Sequence, residues 1–344
     1  MLHLTHQYID RETFAVRTER LFGDRLIQWA YHPPWENANW LCRTLGSSRL
    51  SSLLAFFNYD SPFANRISGA HRFMRSFGID WSECVDSAET LDTPRKVFER
   101  KIRYWERRPM DTDPNAVVSP CDARVLIGSF AADSNVFLKN KFFGLDDLLG
   151  RPHWIEAFRN GHYAIFRLTP DKYHYNHLPV TGTPIDCYDV VGGYHSCNPS
   201  AVVVASPYSK NTRVVTILQT DLPDGRGIGL VAMIEIVALM IGRIDQCYSD
   251  REYSDPRPLS KGMVLRKGQP KSLYRPGSST TVLLFQDNRI AFAPDLITNQ
   301  LRADVASRFS KGFGRPMIET DVKVRSTIAR RVDPGHTAMR SIHV

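Results

Sequence analysis

A glycine-serine pair in the C-terminal part of the chain carries residue types that could do chemistry. Lys267-Gly268-Gln269 is followed by Gly277-Ser278-Ser279-Thr280 and then by the apolar run 282–285. A serine after glycine can attack the carbonyl group directly before it, because glycine has no side chain to block the approach. The attack converts the amide to an ester, elimination breaks the chain, and hydrolysis of the resulting dehydroalanine gives a pyruvoyl group. The same residues would also suit a hairpin turn, where glycine and serine are common.

Further motifs come in order before this pair. They are Ser119-Pro120-Cys121-Asp122-Ala123, residues 172–182 with His174 and His177, Cys197-Asn198-Pro199, residues 211–214 and residues 236–244. Together with the glycine-serine pair they resemble the motifs of the phosphatidylserine decarboxylase family, pyruvoyl enzymes that mature by self-cleavage. The resemblance covers most of residues 78–285, and the segments 77–83 and 97–109 look like the helical approach to the family's catalytic domain.

The resemblance implies a role for each reactive group. Ser278 would attack the carbonyl group of Gly277. His177 would be the base that takes the serine proton, and Asp122 the acid that orients its imidazole. A serine hydroxyl is a poor nucleophile at neutral pH, so it needs both a base and a group that holds the base in the right tautomer.

Cleavage would produce two chains, with a pyruvoyl group generated from Ser278 as the cofactor. The β chain would hold residues 1–277, and the α chain, residues 278–344, would begin with the pyruvoyl group. The resemblance implies that the substrate amine forms a Schiff base with the ketone and that the carboxylate leaves as carbon dioxide. His174, three residues from His177, is the candidate acid for the resulting carbanion, because imidazole titrates near neutral pH.

The spacing around the cleavage point leaves two serines open. Counting forward from Lys267 places the reactive serine at Ser278, whereas counting back from Phe285 places it at Ser279, because this chain carries one extra residue. Ser278 is favoured, since Gly277 precedes it.

Four residues depart from the family's motifs. Ala123, Val237 and Ser272 stand where the family has glycine, and Pro270 stands where it has glutamate. These changes affect the walls of the site more than its reacting groups. Alanine after Asp122 requires a turn that either avoids positive φ or is strained.

Two other sites would use the same residue types. His174 and His177 have metal-ligand spacing, and Cys121, Cys187 or Cys197 could complete a zinc site. No Cys-x-x-Cys accompanies the pair, and the flanking prolines argue against a helix, so we expect no metal. A Ser-His-Asp hydrolase is a further alternative, but Gly-x-Ser-x-Gly is absent and the order Asp, His, Ser fits it loosely.

The composition is that of an ordinary globular protein. Of the 344 residues, 42% are hydrophobic and 23% are charged, which is enough for a full core. Six cysteines without disulfide-like spacing predict a reducing compartment, and the first residues do not read as a secretory signal. The longest apolar run, 228–241, is too short to cross a bilayer and contains Glu235, so it predicts buried strands.

The patterns along the chain predict an α+β protein. Residues 1–109 are predicted to be a helical, amphipathic, membrane-associating region. Residues 110–285 contain short β-branched runs divided by Gly, Pro and Asn, which predicts a mostly antiparallel β catalytic domain. Residues 286–344 form a basic C-terminal extension of unknown role, with one predicted helix over 296–309.

The charge and one apolar stripe favour a membrane surface as partner. The net charge of +8 suits anionic phospholipid. Ile67, Ala70, Met74 and Phe77 recur at helical spacing with arginines between them, so this helix could lie among the headgroups; packing on the catalytic domain is equally open. We expect a peripheral membrane protein on the cytoplasmic side, with no nucleic acid as partner. Formation of a homodimer is left open.

The predicted reaction is the conversion of phosphatidylserine to phosphatidylethanolamine and carbon dioxide, as the resemblance implies. One alternative is a related pyruvoyl decarboxylase of a soluble amino acid, since Schiff-base chemistry needs only an α-amino acid. Another is a lipid-binding homologue that never cleaves and uses its triad residues only structurally.

Overall fold

A computed structural model describes residues 5–21, 78–131, 143–221, 227–238, 243–277 and 279–332. Two features named above lie outside the described residues. One is the predicted amphipathic stripe from Ile67 to Phe77, and the other is Ser278.

Fifteen strands in the described ranges form three sheets. They are β1 (Gln7–Asp10), β2 (Val16–Thr18), β3 (Ala116–Val118), β4 (Ala123–Ser129), β5 (His162–Leu168), β6 (Tyr175–His177), β7 (Thr183–Val190), β8 (Arg213–Gln219), β9 (Leu230–Val237), β10 (Ile244–Gln246), β11 (Pro270–Tyr274), β12 (Ser279–Phe285), β13 (Ile290–Phe292), β14 (Glu319–Val322) and β15 (Thr327–Arg331). The largest sheet has the order β2-β1-β14-β4-β5-β12-β9-β8-β7, and the smaller ones are β10-β11-β6 and β13-β15-β3. Only the β1–β14 pairing in the large sheet is parallel among these strands. The prediction of a mostly antiparallel β region is confirmed.

Strand β12, which follows the predicted cleavage point, lies inside the large sheet. It pairs over its full length with β5 on one side and β9 on the other. Leu283 and Phe285 enter the core on one face of the sheet, and Val282 and Leu284 enter the core on the opposite face. A strand buried on both faces needs a continuous apolar run, which explains residues 282–285.

Short helices and the two small sheets cover the two faces of the large sheet. The helices are α1 (Pro94–Phe98), α2 (Tyr104–Arg107), α3 (Leu145–Leu149), α4 (Ile155–Phe158), α5 (Pro199–Ala205), α6 (Pro207–Lys210), α7 (Pro294–Gln300) and α8 (Arg308–Phe313). Phe158 of α4 and Phe309 of α8 belong to the core that contains Val282. Tyr274 of β11 and Ile328 of β15 belong to the core on the other face. Within the described ranges, no helix has the length and apolar character needed to cross a bilayer.

The N-terminal region differs from its prediction where the structure describes it. Residues 5–21 form a hairpin of β1 and β2 instead of a helix, and β1 joins the large sheet through β14. Ile9 is fully buried against Val305 and Ile318, so long-range packing overrides the helical expectation. Helical structure before residue 110 is limited, in the described part, to α1, α2 and the 3-10 turn Trp81–Glu83.

Residues 286–332 complete the large sheet, because β14 lies between β1 and β4. The single helix predicted over 296–309 is wrong. The structure has two helices, α7 and α8. The second begins at Arg308, after the N-cap residue Ser307, whose side chain accepts from the Phe309 N–H group. Arg167 of β5 donates to both Glu19 and Glu319 at 2.9 Å. Buried ion pairs therefore tie residues after β12 to residues before it.

Candidate active site

Three of the sequence motifs meet at the imidazole of His177, the last residue of β6. The backbone N–H group of His177 donates to the carbonyl of Pro120 (2.6 Å), which brings the segment of Asp122 beside β6. The N–H group of Gly268 donates to the carbonyl of Leu178 (2.8 Å). The structure therefore assembles residues that are far apart in sequence around one ring.

The ring of His177 is fixed by a contact at each nitrogen. Nδ1 lies 2.9 Å from the carbonyl oxygen of Gly268, and Nε2 lies 2.8 Å from the hydroxyl of Tyr173. A carbonyl oxygen only accepts, so Nδ1 carries the proton and Nε2 is the accepting atom of the neutral ring. Burial lowers the pKa of His177 to about 3. The imidazole is therefore neutral at neutral pH and has the protonation state that a base requires.

Gly268 supplies a backbone conformation that the site needs. Its φ is +75°, and a Cβ atom there would lie 2.3 Å from Sδ of Met110. A side chain would thus meet both backbone strain and a steric clash. Glycine at this position allows the carbonyl group to reach Nδ1 of His177.

Asp122 forms an ion pair with Arg108. Its carboxylate accepts from Nε (3.1 Å) and Nη2 (2.8 Å) of Arg108 and from the N–H group of Val324 (2.8 Å). Burial would raise the pKa of Asp122, but the Arg108 guanidinium outweighs it and holds the pKa at about 2. Asp122 is therefore ionised. Among the described residues, this carboxylate forms no hydrogen bond with His177. The carbonyl of Gly268 fixes the tautomer of His177 instead. Ala123 begins β4 in extended conformation, so alanine is tolerated there.

His174 borders the same region. Its carbonyl accepts from the N–H group of Tyr274 (3.0 Å), four residues before Ser278. The ring stacks on Phe98 with centroids 3.6 Å apart, and both ring nitrogens are buried without hydrogen-bond partners among the described residues. Burial, followed by the nearby charge of Arg100, lowers the pKa of His174 well below its ordinary value. His174 is therefore neutral at neutral pH.

The predicted cleavage point lies in the short connection between β11 and β12. Gly277 is buried and has a φ of +150°, which favours glycine. Ser278 follows it, outside the described residues. Ser279 begins β12 opposite Leu168 and Val237, and its Oγ is buried without a partner in the described part. A buried unpaired hydroxyl costs about 1–3 kcal/mol, so such a group marks a segment that is not arranged for stability alone.

A buried polar network holds the residues that follow the cleavage point. Oγ1 of Thr281 donates to Oδ1 of Asn176 (2.7 Å), and Nδ2 of Asn176 donates to Oε1 of Glu235 (3.3 Å). Glu235 also accepts from Nζ of Lys271 (2.6 Å), and both of these side chains are fully buried. Gln246 contacts both members of the ion pair. The network therefore links β12 to β6, β9, β10 and β11.

Sequence reasoning missed this network and the role of Arg108. A signal existed for Glu235, the one acidic residue in the apolar run 228–241, because a buried charge requires a partner. Lys271 gave no comparable signal, since a lysine in a short strand is usually exposed. Arg108 and Glu83 lie in the segments that look like the family's helical approach, and their side chains bind each other at 2.8 Å.

A different group of residues has the spacing of metal ligands. Among the described residues, atoms of His6, Glu19 and Glu319 lie close enough to share an ion. Nε2 of His6 lies 2.8 Å from Glu319, and Arg167 donates to both carboxylates. The protein's own guanidinium thus neutralises these carboxylates, and the cluster has the character of a structural ion-pair network.

Comparison with known proteins identifies the class of this domain. The family model described as Phosphatidylserine decarboxylase matches residues 95–311, a range that contains Asp122, both histidines and the predicted cleavage point. The chain is therefore a decarboxylase. More particularly, the chain belongs to the phosphatidylserine decarboxylase family, as its motifs predicted.

The similarity extends over nearly the whole chain. A protein of Clostridium perfringens strain SM101 named phosphatidylserine decarboxylase proenzyme is 29% identical over 324 residues, which cover 94% of this chain and 98% of the relative. Proteins of the same name from Fusobacterium nucleatum and Chlamydia trachomatis serovar D are also similar. The first is 25% identical over 301 residues, which cover 85% of this chain and 91% of the relative. The second is 28% identical over 298 residues, which cover 84% of this chain and 90% of the relative.

Proposed function

We propose that this chain is a pyruvoyl-dependent decarboxylase that cleaves itself between Gly277 and Ser278. The observation that carries the proposal is the position of Gly277, buried with positive φ two residues before β12, in a fold that also contains the neutral imidazole of His177. The name proenzyme, given to the similar proteins, supports a maturation step. The products would be a β chain of residues 1–277 and an α chain of residues 278–344.

In this maturation His177 accepts the hydroxyl proton of Ser278. The carbonyl of Gly268 occupies Nδ1–H, so Nε2 is the accepting atom once the Tyr173 hydroxyl that contacts it has turned its hydrogen away. Burial disfavours the imidazolium that forms, and the negative charge of Asp122 stabilises it. Asp122 would therefore act on His177 electrostatically, while Arg108 keeps its carboxylate ionised.

The pyruvoyl group would supply a ketone that binds the substrate's amine and takes up electrons as the carboxylate leaves. The residues fit such a group, because the ring nitrogens of His174 and Oγ of Ser279 are buried polar atoms without partners in the described part. His174 is proposed to give the proton to the carbon atom that loses the carboxylate. Because its ring is neutral, His174 must gain a proton before it acts as an acid.

The proposed substrate is phosphatidylserine, and the proposed products are phosphatidylethanolamine and carbon dioxide. The names of the similar proteins support this substrate. The net charge of +8 suits an anionic phospholipid surface, so we propose peripheral binding to that surface on the cytoplasmic side. Residues after the cleavage point would stay attached through the buried ion pair of Arg167 with Glu319.

Denaturing mass spectrometry of the purified wild-type protein tests the maturation. We expect one fragment that ends at Gly277 and one that begins with a ketone in place of an amine at 278. Ser278→Ala should stay a single chain, whereas Ser279→Ala should still cleave. A wild-type chain that remains intact on prolonged incubation would contradict the proposal, and a break after Ser278 would move the nucleophile to Ser279.

Release of labelled carbon dioxide tests the substrate. Carboxyl-labelled phosphatidylserine in mixed micelles should release it, whereas free serine at the same concentration should not. Equal or faster release from free serine would favour a soluble amino acid as the substrate. Ser278→Ala is the matched control, because alanine lacks the hydroxyl from which the pyruvoyl group would form.

A further inference from the structure

The guanidinium of Arg325 lies one side chain away from the imidazole of His177. Nη1 of Arg325 donates to the carbonyl of Tyr104 (2.9 Å), and Cζ lies 5.0 Å from the centre of the Tyr104 ring. The same ring makes a T-shaped contact with His177, with centroids 4.7 Å apart. The Tyr104 ring therefore contacts both the cation and the imidazole.

Two nitrogen atoms on one side of this guanidinium have no partner among the described residues. Nε of Arg325 is buried without a hydrogen-bond partner, and Nη2 forms no hydrogen bond in the described ranges. In Arg108 the same two atoms donate side by side to the carboxylate of Asp122. Such a pair of parallel donors fits two oxygens of a carboxylate or a phosphate group.

Other cations of the same C-terminal segment are paired with acids. Lys323 binds Glu12 (3.0 Å), and Arg330 binds Asp111 (2.5 Å). Arg325 forms no ion pair with a carboxylate in the part of the chain that the structure describes. A buried donor of a charged group is costly when it has no partner. The stability of the fold therefore does not explain an arginine at this position.

The backbone of Arg325 is strained as well. Its φ is +72°, a value that glycine adopts easily and other residues rarely. The Arg325 N–H group donates to the carbonyl of Ser119 (2.9 Å), which helps to hold this conformation. It places Nε beside Gly268, 3.2 Å from the position that a Cβ atom of residue 268 would take. Residues held in such conformations concentrate at functional sites.

We propose that Arg325 binds the phosphate group of the substrate side-on, through Nε and Nη2. The inference rests on the proposed function, whose substrate carries a carboxylate and a phosphate. The carboxylate is lost in the reaction, so a cation bound to it would stabilise the bound substrate more than the transition state. The phosphate keeps its charge throughout, and only one methylene group and one oxygen atom separate it from the reacting carbon. Arg325 would therefore select a phosphate-bearing substrate over free serine.

Arg325→Gln tests this role, because it removes the cation. Arg17→Gln is the matched control, since it removes one positive charge from an exposed residue of β2. Arg325→Lys keeps the charge but loses the parallel donors. Only protein shown by mass spectrometry to be cleaved is assayed, for kcat and KM on phosphatidylserine micelles at fixed ionic strength.

The second measurement is inhibition of the same reaction by glycerophosphoethanolamine. This soluble compound is the headgroup of the proposed product without its acyl chains. It carries the phosphate but no carboxylate, and it does not require a lipid surface. Its inhibition constant therefore separates binding of the substrate's phosphate from binding of the carboxylate or of neighbouring lipids.

We expect Arg325→Gln to raise both KM and the inhibition constant at least about tenfold, because hydrogen bonds between charged groups are strong. Its kcat should stay within about twofold of wild type, as for a loss of binding alone. Arg325→Lys should lie between wild type and Arg325→Gln in both constants, and Arg17→Gln should match wild type. If Arg325→Gln does not cleave, Arg325→Lys must raise both constants for the assignment to stand.

Four results would overturn this assignment and leave the proposed function intact. KM and the inhibition constant could both be unchanged in Arg325→Gln or equally raised in Arg17→Gln. KM could rise alone, which would indicate the carboxylate or the lipid surface as the ligand. A fall in kcat at constant KM would indicate an effect on His177, and a wild type that glycerophosphoethanolamine does not inhibit would exclude the phosphate. A wild type that neither cleaves nor decarboxylates phosphatidylserine would instead contradict the proposed function itself.

Discussion

The buried ion pair between Glu235 and Lys271 predicts a large loss of stability on a single substitution. Its charged atoms are 2.6 Å apart, and both side chains are fully buried. Lys271→Met keeps most of the side chain's volume and removes the cation. The carboxylate of Glu235 would then keep only neutral donors, from Asn176, Ser272 and Gln246. Removing one partner of a buried pair costs about 3–5 kcal/mol, so we expect a loss of that size.

A second substitution separates the charge effect from a packing effect. Glu235→Gln combined with Lys271→Met removes both charges and leaves no unpaired carboxylate. A buried pair replaced by neutral groups is often close to neutral in stability, so the double variant should recover most of the loss. Urea unfolding at pH 7 is the assay. It is made in a Ser278→Ala background, so that one covalent chain unfolds in every sample.

The reasoning is refuted by either of two results. A loss below about 1 kcal/mol in Lys271→Met would be that of an exposed pair, so it would contradict the buried geometry. A double variant no more stable than Lys271→Met would show that the unpaired charge of Glu235 is not the cause. With Ser278 present, Lys271→Met should also slow cleavage, because the same network holds Thr281.

Three further predictions concern the site. His177→Ala should block cleavage, whereas His174→Ala should cleave and lose about 100-fold or more in kcat; normal processing and turnover in both variants would contradict these roles. Asp122→Asn should remove a contribution of the carboxylate to the stability of the folded state, which wild type has in full above pH ~4. Because the pKa of Asp122 falls from 3.8 to about 2 on folding, this contribution should be lost as the pH falls toward 2. It amounts to roughly 2 kcal/mol. If the difference in unfolding free energy between wild type and Asp122→Asn did not change with pH, this prediction would be wrong. Gly268→Ala should lower the free energy of unfolding by about 1–3 kcal/mol for its positive φ alone, and it should slow cleavage. Adding Met110→Ala should relieve only the steric part of this loss. If urea unfolding showed full recovery of stability in the double variant, the positive φ would not be the cause.

The sequence by itself determined the family and the mostly antiparallel β region. These rest on local features. The apolar run 282–285 requires a strand buried on both faces, and the ordered motifs carry the resemblance. The segments at Asp122, His177 and Gly268 meet in the structure through the backbone N–H groups of His177 and Gly268.

Only the tertiary structure decided which polar groups bind each other. Asp122 pairs with Arg108, and the carbonyl of Gly268 fixes the tautomer of His177. Lys271 meets a glutamate 36 residues away in sequence. Such partners follow from strand order and register, which depend on the packing of the whole domain and leave no trace in local residue patterns. For the same reason, the N-terminal residues 5–21 form sheet where local patterning predicted helix: their partner strand, β14, lies at the other end of the chain.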